Sequence, residues 1–327
     1  MLVLSDLHFG DSRCSLHSMK TVRALVEKLQ PYSPLEEIIL LGDILDLQLA
    51  NWAKSIEGVF AGGPKKRTVG FRYFLRFLVE QTKAKRVTYV PGNHDYKLFD
   101  YHAIEHALIR PLRSGKKLSG RIAFFRKFSP SFLQGILTGL PAEFNLVYPH
   151  YTLRAGRERI ILTHGHYFDP TQAFAHEIAK VFTDPVAKEE IPRLRNQFFR
   201  RASFYQNMMS GLSIQPKLRD IFNTIYQPVI TFKETLRRHT RKSFLTPAMK
   251  RSIEFYIAFC CRGKIAGLIF GHTHHPGKTE FRDSNVRYVW NAGTFLRESK
   301  ESGAGSFITV CLSAKSLQNA VTVHLLK

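Results

Sequence analysis

Five short apolar runs in this chain each end on polar side chains. Met1 to Ser5 leads into Asp6 and His8, and Ile38 to Leu41 leads into Gly42-Asp43. Val87 to Val90 leads into Pro91-Gly92-Asn93-His94-Asp95. Ile160 to Leu162 leads into Thr163-His164-Gly165-His166, and Ile265 to Phe270 into Gly271-His272-Thr273-His274-His275. Runs this short, closed by Gly or Pro, read as buried strands. Residues 17–30 carry Met19, Val22, Leu25, Val26 and Leu29 near a 3.6-residue period, which predicts a helix ended by Pro31 and Pro34. Residues 51–70 begin with a helical stretch and continue as an exposed basic turn, Gly62 to Arg67. A second helix is predicted over 71–81, with Phe71, Phe74, Leu75 and Leu78 inward. Strand–helix–strand alternation implies a parallel sheet with right-handed crossovers. Ligands collect outside the carboxyl ends of such strands, so the five polar clusters should share one edge.

Beyond Asp95 the pattern loosens. Residues 98–114 are compatible with a helix. Residues 120–148 mix aromatic and basic side chains, read either as a core helix plus loop or as an amphipathic surface touching lipid. Residues 170–262 have helical period and are cut into short pieces by Pro185, Pro192, Pro216, Pro228 and Pro247. The expectation is a core of residues 1–169 plus 263–327, containing a basic, aromatic segment at 96–159, with 170–262 inserted as a helical cap beside the site. Residues 286–290, 307–312 and 320–325 read as strands of a second sheet.

Composition adds three points. No stretch of 18 apolar residues occurs, so no membrane-spanning helix is expected. No secretory signal precedes the first strand, and the short lead-in suggests a natural start upstream of Met1. Cys14, Cys260, Cys261 and Cys311 show neither metal-ligand spacing nor a disulfide framework, which fits a reducing cytosol. Charge changes the picture more. The net formal charge is +22, of which +7 falls in residues 96–163 and +9 in residues 170–262. Such a surface attracts polyanions: nucleic acid, an anionic membrane or a phosphorylated substrate.

The strand ends gather Asp6, His8, Asp43, Asn93, His94, His164, His272 and His274. Imidazole, carboxylate and amide oxygen without thiolate suit divalent manganese, iron or zinc. The donors exceed what one tetrahedral ion needs and suit two ions roughly 3.5–4 Å apart with one carboxylate bridging. Two cations neutralise a phosphoester's charge and lower the pKa of a shared water, which can then attack phosphorus as hydroxide.

Asp-x-His, Gly-Asp, Gly-Asn-His-Asp, His and Gly-His-x-His, in that order from residue 6 to 274, resemble the calcineurin-like metallophosphoesterases. The resemblance implies an α/β fold, a four-layer αββα sandwich with a dinuclear metal centre at its edge. It assigns Asp6, His8, Asp43 and His274 to one ion and Asp43, Asn93, His164 and His272 to the other. His94 becomes the imidazole facing the departing oxygen, oriented by Asp46, with Asp95 as the alternative partner. His166, Asp169 and His275 are left as supporting or substrate-facing residues; an extra ligand role stays open for His166. Manganese is the first choice of metal.

Two segments look like the UDP-2,3-diacylglucosamine diphosphatase branch of lipid A biosynthesis: His164 to Asp169, and Gly271 to Pro276 followed by Asn291 to Ser299. This implies cleavage of a lipid-linked diphosphate by a cytoplasmic protein peripheral to the inner face of a membrane. Three features depart from that branch. The insertion is longer, residue 94 is His where the best-known members have Arg, and the segment 120–148 has no counterpart there; residue 166 is also His where the branch often carries an acid. The alternatives are a nuclease or cyclic-nucleotide phosphodiesterase with the same centre, and a non-catalytic scaffold. Oligomeric state is not legible in the chain.

Overall fold

The computed structural model describes residues 1–47, 68–96, 98–99, 105, 109–115, 137–155, 158–169, 244–261, 264–281, 284, 286–297, 305–314 and 316–326. The elements run β1 (Leu2–Leu4), α1 (Met19–Leu29), β2 (Glu37–Leu41), α2 (Phe71–Thr82), β3 (Arg86–Val90), β4 (Glu143–Leu146), β5 (Tyr151–Ala155) and β6 (Glu158–Leu162). They continue with α3 (Pro247–Cys260), β7 (Gly267–Phe270), β8 (Gly277–Glu280), β9 (Tyr288–Asn291), β10 (Gly305–Val310) and β11 (Val321–Leu326). Two mixed sheets result, ordered β11-β10-β1-β2-β3-β4 and β5-β6-β7-β9-β8. The neighbours β1 to β4 are parallel, as are β6, β7 and β9.

Alternation along the strands explains the layers. Ile39 and Leu41 of β2 join Val3 and Val90 in a core shared with Leu162, Ile269 and Trp290 of the second sheet. Ile38 and Leu40, on the opposite face, pack with Val22 and Leu25 of α1 and Phe74 and Leu78 of α2. The second sheet repeats the arrangement: Leu268 and Phe270 cluster with Met249, Ile253 and Tyr256 of α3. Strands buried on both faces carry no polar alternation, which is why they read as continuous apolar runs.

Three features differ from the sequence expectation. The C-terminal strands do not all join the second sheet; β10 and β11 extend the first, where β10 pairs antiparallel with β1. Strands β4, β5 and β8 lie at sheet edges and, being partly exposed, lack the continuous apolar run that marks the central strands. Residues 247–260 of the expected insertion form α3, capped at Thr246 and packed on the second sheet. Of the expected helical cap over 170–262 only residues 244–261 are described, of the 120–148 segment only residues 137–148, and the basic turn at 62–67 lies outside the described residues. No helix among the described residues is long and apolar enough to cross a membrane.

His150, buried between β4 and β5, places Nδ1 2.6 Å from the Tyr256 hydroxyl of α3. Burial pushes its pKa from 6.5 down to about 4. The unfolded imidazole therefore takes up a proton that the folded one refuses between those values. Stability is lost as pH falls through that window, by about 3 kcal/mol once both titrations are complete. Urea unfolding at neutral pH and near pH 4 should show the wild type losing about that much more stability than His150→Asn. A pH-independent gap between the two would show that the imidazole is not held neutral.

Candidate metal centre

Strands β1, β2 and β7 end in turns that put ligand-type residues in unusual backbone conformations. Asp6, His8, Asp43, His272 and His274 all have positive φ, between 51° and 67°. Such conformations cost non-glycine residues energy and persist where the surroundings over-determine them. Here the surroundings do. Asp6 N donates to Gly42 O at 3.0 Å and His8 N to Asp43 O at 2.9 Å, tying the first turn to the second. The Asp6 carbonyl accepts from Thr294 Oγ1 at 2.8 Å and from Phe295 N at 3.2 Å. Gly42 has φ +80°, and a methyl there would overlap the His164 ring; one at Gly92 would strike Asp43.

Asp43 sits at the middle. Its Oδ1 accepts from His94 N at 2.8 Å. Its Oδ2 lies 3.2 Å from His164 Nε2, 3.9 Å from His94 Nε2 and 4.0 Å from His8 Nε2. Asp6 Oδ1 lies 3.3 Å from His274 Nε2 and 4.0 Å from His8 Nε2. Three groups have donor atoms within 4.8 Å of one another: Asp6, His8 and His274; His8, Asp43 and His94; and Asp43, His164 and His272. The structure thus brings the sequence-selected donors together at one strand edge, with Asn93 Oδ1 3.1 Å from His164 Nε2.

The hydrogen-bond pattern of this set fits cations. His164 Nδ1 lies 3.1 Å from the Leu41 carbonyl, which fixes the Nδ1–H tautomer and leaves a lone pair on Nε2. That lone pair meets oxygens of Asn93 and Asp43, so three electron-pair donors converge. Asp6 Oδ1 and both His8 nitrogens are buried and have no hydrogen-bond partner among the described residues. Divalent cations resolve both problems. Without them the cluster holds protons instead. Burial opposes charge on His164, but Asp43 and Asp6 raise its pKa to about 9. Asp43 itself is held well below the ordinary carboxylate value: burial opposes this, and His164 and His94 overcome it.

His94 is oriented differently from the rest. Its Nδ1 lies 3.1 Å from Asp46 Oδ1, which directs Nε2 toward the cluster. Burial opposes its protonation, yet Asp43 and Asp46 raise its pKa to about 10. Asp95 takes another role. Its Oδ2 accepts from Ile44 N at 2.7 Å and from the Tyr89 hydroxyl, and its Oδ1 from Gly92 N at 2.6 Å. It thereby joins the turn after β2 to the turn after β3.

His166 is buried, with both ring nitrogens lacking a hydrogen-bond partner among the described residues; burial and the neighbouring imidazoles hold it neutral. Its ring centroid is 5.5 Å from that of His164, but it is in none of the three donor groups. Asp169 Oδ2 lies 3.4 Å from His272 Nε2, and His275 is half-buried beside His274.

Supporting residues absent from the sequence selection are Ser5 and Asn291. Ser5 Oγ contacts Asp6 Oδ2 and the Leu41 carbonyl. Asn291 Nδ2 donates to Gly271 O at 2.7 Å and to Thr273 Oγ1 at 3.0 Å, holding the His272 turn. Asn291 carries the same signal as the others, a polar residue closing an apolar strand.

A family model described as calcineurin-like phosphoesterase matches residues 1–276. The chain belongs to the calcineurin-like phosphoesterase family. This phosphoesterase also aligns with two solved structures at 12% identity. One is a conserved uncharacterized protein from Streptococcus pneumoniae TIGR4, described as a predicted phosphoesterase. The alignment covers 99% of this chain and 95% of that one, with TM-score 0.30. The other is Yfce, a phosphoesterase from E. coli, covering 100% and 98% with TM-score 0.32. No curated protein sequence matches the chain. Family and donor clusters together make the chain a metal-dependent phosphoesterase.

Proposed function

We propose that this phosphoesterase works with two divalent cations sharing Asp43, manganese first among them, and cleaves the diphosphate of a UDP-diacylglucosamine-type lipid precursor. The observation that carries the two-cation reading is the convergence of His164 Nε2, Asn93 Oδ1 and Asp43 Oδ2 on one side of the bridging carboxylate, with Asp6, His8 and His274 on the other. Asp6, His8, Asp43 and His274 hold one ion, and Asp43, Asn93, His164 and His272 the other. Bound there, two cations supply charge neutralisation at phosphorus and a water acidic enough to ionise near neutral pH. The chain's own contribution is His94. Oriented by Asp46 through its Nδ1, it delivers a proton to the departing oxygen.

The lipid-diphosphate part rests on the two segments that look like that branch and on the basic charge between them, which suits an anionic membrane surface. The same charge suits nucleic acid, so the test has two arms. Hydrolysis of an aryl phosphodiester with added Mn2+, abolished by chelation, is expected. No turnover with manganese, iron or zinc would leave a scaffold. Detergent-dispersed nucleotide-sugar lipid should then be cleaved in preference to single-stranded DNA, and cleavage of DNA alone would overturn the lipid assignment.

A further inference from the structure

We infer that Asp169 is the positioning residue for His272, selecting which imidazole nitrogen is offered to the second ion; the inference rests on the two-cation reading above. Asp169 Oδ2 lies 3.4 Å from His272 Nε2, and both side chains are nearly buried. An imidazole has two nitrogens on opposite sides of the ring. His272 stands in one donor group with Asp43 and His164; with Nε2 turned to a carboxylate and carrying the proton, the lone pair left for an ion is on Nδ1.

Both partners are held independently. His272 N donates to Asp6 Oδ2 at 2.9 Å, and its turn is fixed from the other side by Gly271 N donating to His164 O at 3.0 Å. Asp169 closes a 3-10 turn, His166–Phe168, that starts at Gly165 with φ +96°. That turn is anchored by Tyr167 Oη donating to Pro149 O at 2.9 Å and by Phe168 packed edge-on against Phe270 and Tyr256. One loop therefore serves the second ion twice. His164 faces it directly, and five residues later Asp169 orients a ligand that arrives from β7. Asn291 holds the backbone of the His272 turn, while Asp169 holds the ring.

The test is Mn2+ binding to the full chain by chelator competition, with electron paramagnetic resonance reporting the spin-coupled pair. The wild type should bind two ions. Asp169→Ala should hold the first ion normally, bind the second about 10–100-fold more weakly and lose the coupled signal at limiting metal. Asp169→Asn keeps an acceptor oxygen and should fall between the two. The metal-free melting temperature reports whether each variant folds, and Asp169→Ser repeats the truncation if the alanine variant does not. Two ions at wild-type affinity in the truncated variant would overturn the role of Asp169. Fewer than two ions in the wild type would instead overturn the two-cation reading.

Discussion

His94→Ala should lower turnover by about 10²–10⁴-fold while leaving both metal ions in place. His94 and His164 differ in what lies behind the ring. His164 rests against a backbone carbonyl, a neutral partner that favours a lone pair toward the cluster. His94 rests against Asp46, a carboxylate, and burial has to be overcome for its pKa to reach about 10. A proton held there suits a group that serves a departing oxygen. The loss should be largest for alkyl leaving groups and smallest for p-nitrophenolate, which leaves without protonation. Steady-state rates on both substrate types, together with metal content, check the assignment. Because His94 also lies among the donors with His8 and Asp43, metal analysis is decisive. If the variant loses an ion, His94 is a ligand; if it keeps both ions and loses activity equally on all leaving groups, it is not the acid.

The site was legible because its residues follow buried strands. An apolar run that stops on Asp, Asn or His has few structural explanations, and five such runs have fewer. Packing was less legible. The apolar pattern in 307–312 and 320–325 announces strands but names no partner, and β10 reaches back across the chain to pair with β1. The choice between Asp46 and Asp95 was likewise not in the sequence. Asp95 is adjacent to His94, but adjacent residues on a turn point apart. Its carboxylate is taken up by Gly92, Ile44 and Tyr89, whereas Asp46 returns to His94 through the β2 turn. Ser5 and Asn291 were passed over because Ser and Asn commonly end strands without holding a ligand. Only the contacts of Ser5 with Asp6 and of Asn291 with Gly271 give them a role.

Asp43→Asn should remove both ions and with them all but background hydrolysis. One oxygen decides this outcome. Asp43 Oδ2 lies within 4.0 Å of His8, His94 and His164, so it belongs to both halves of the centre. An amide keeps the shape and can still accept from His94 N, but it carries no charge to share between two cations. The metal-free proteins should differ the other way. Asp43 raises the pKa of both His94 and His164, so the neutral amide lets these imidazoles lose protons toward neutral pH. Cation binding to the native state stabilises it by about 2.7 kcal/mol per site at one hundred times Kd. The wild type should therefore melt at markedly higher temperature with Mn2+ than with chelator, and Asp43→Asn should melt at nearly the same temperature in both. A variant that still takes up two ions and shows the full thermal shift would mean that Asp43 does not bridge, and the centre would have to be rebuilt around Asp6.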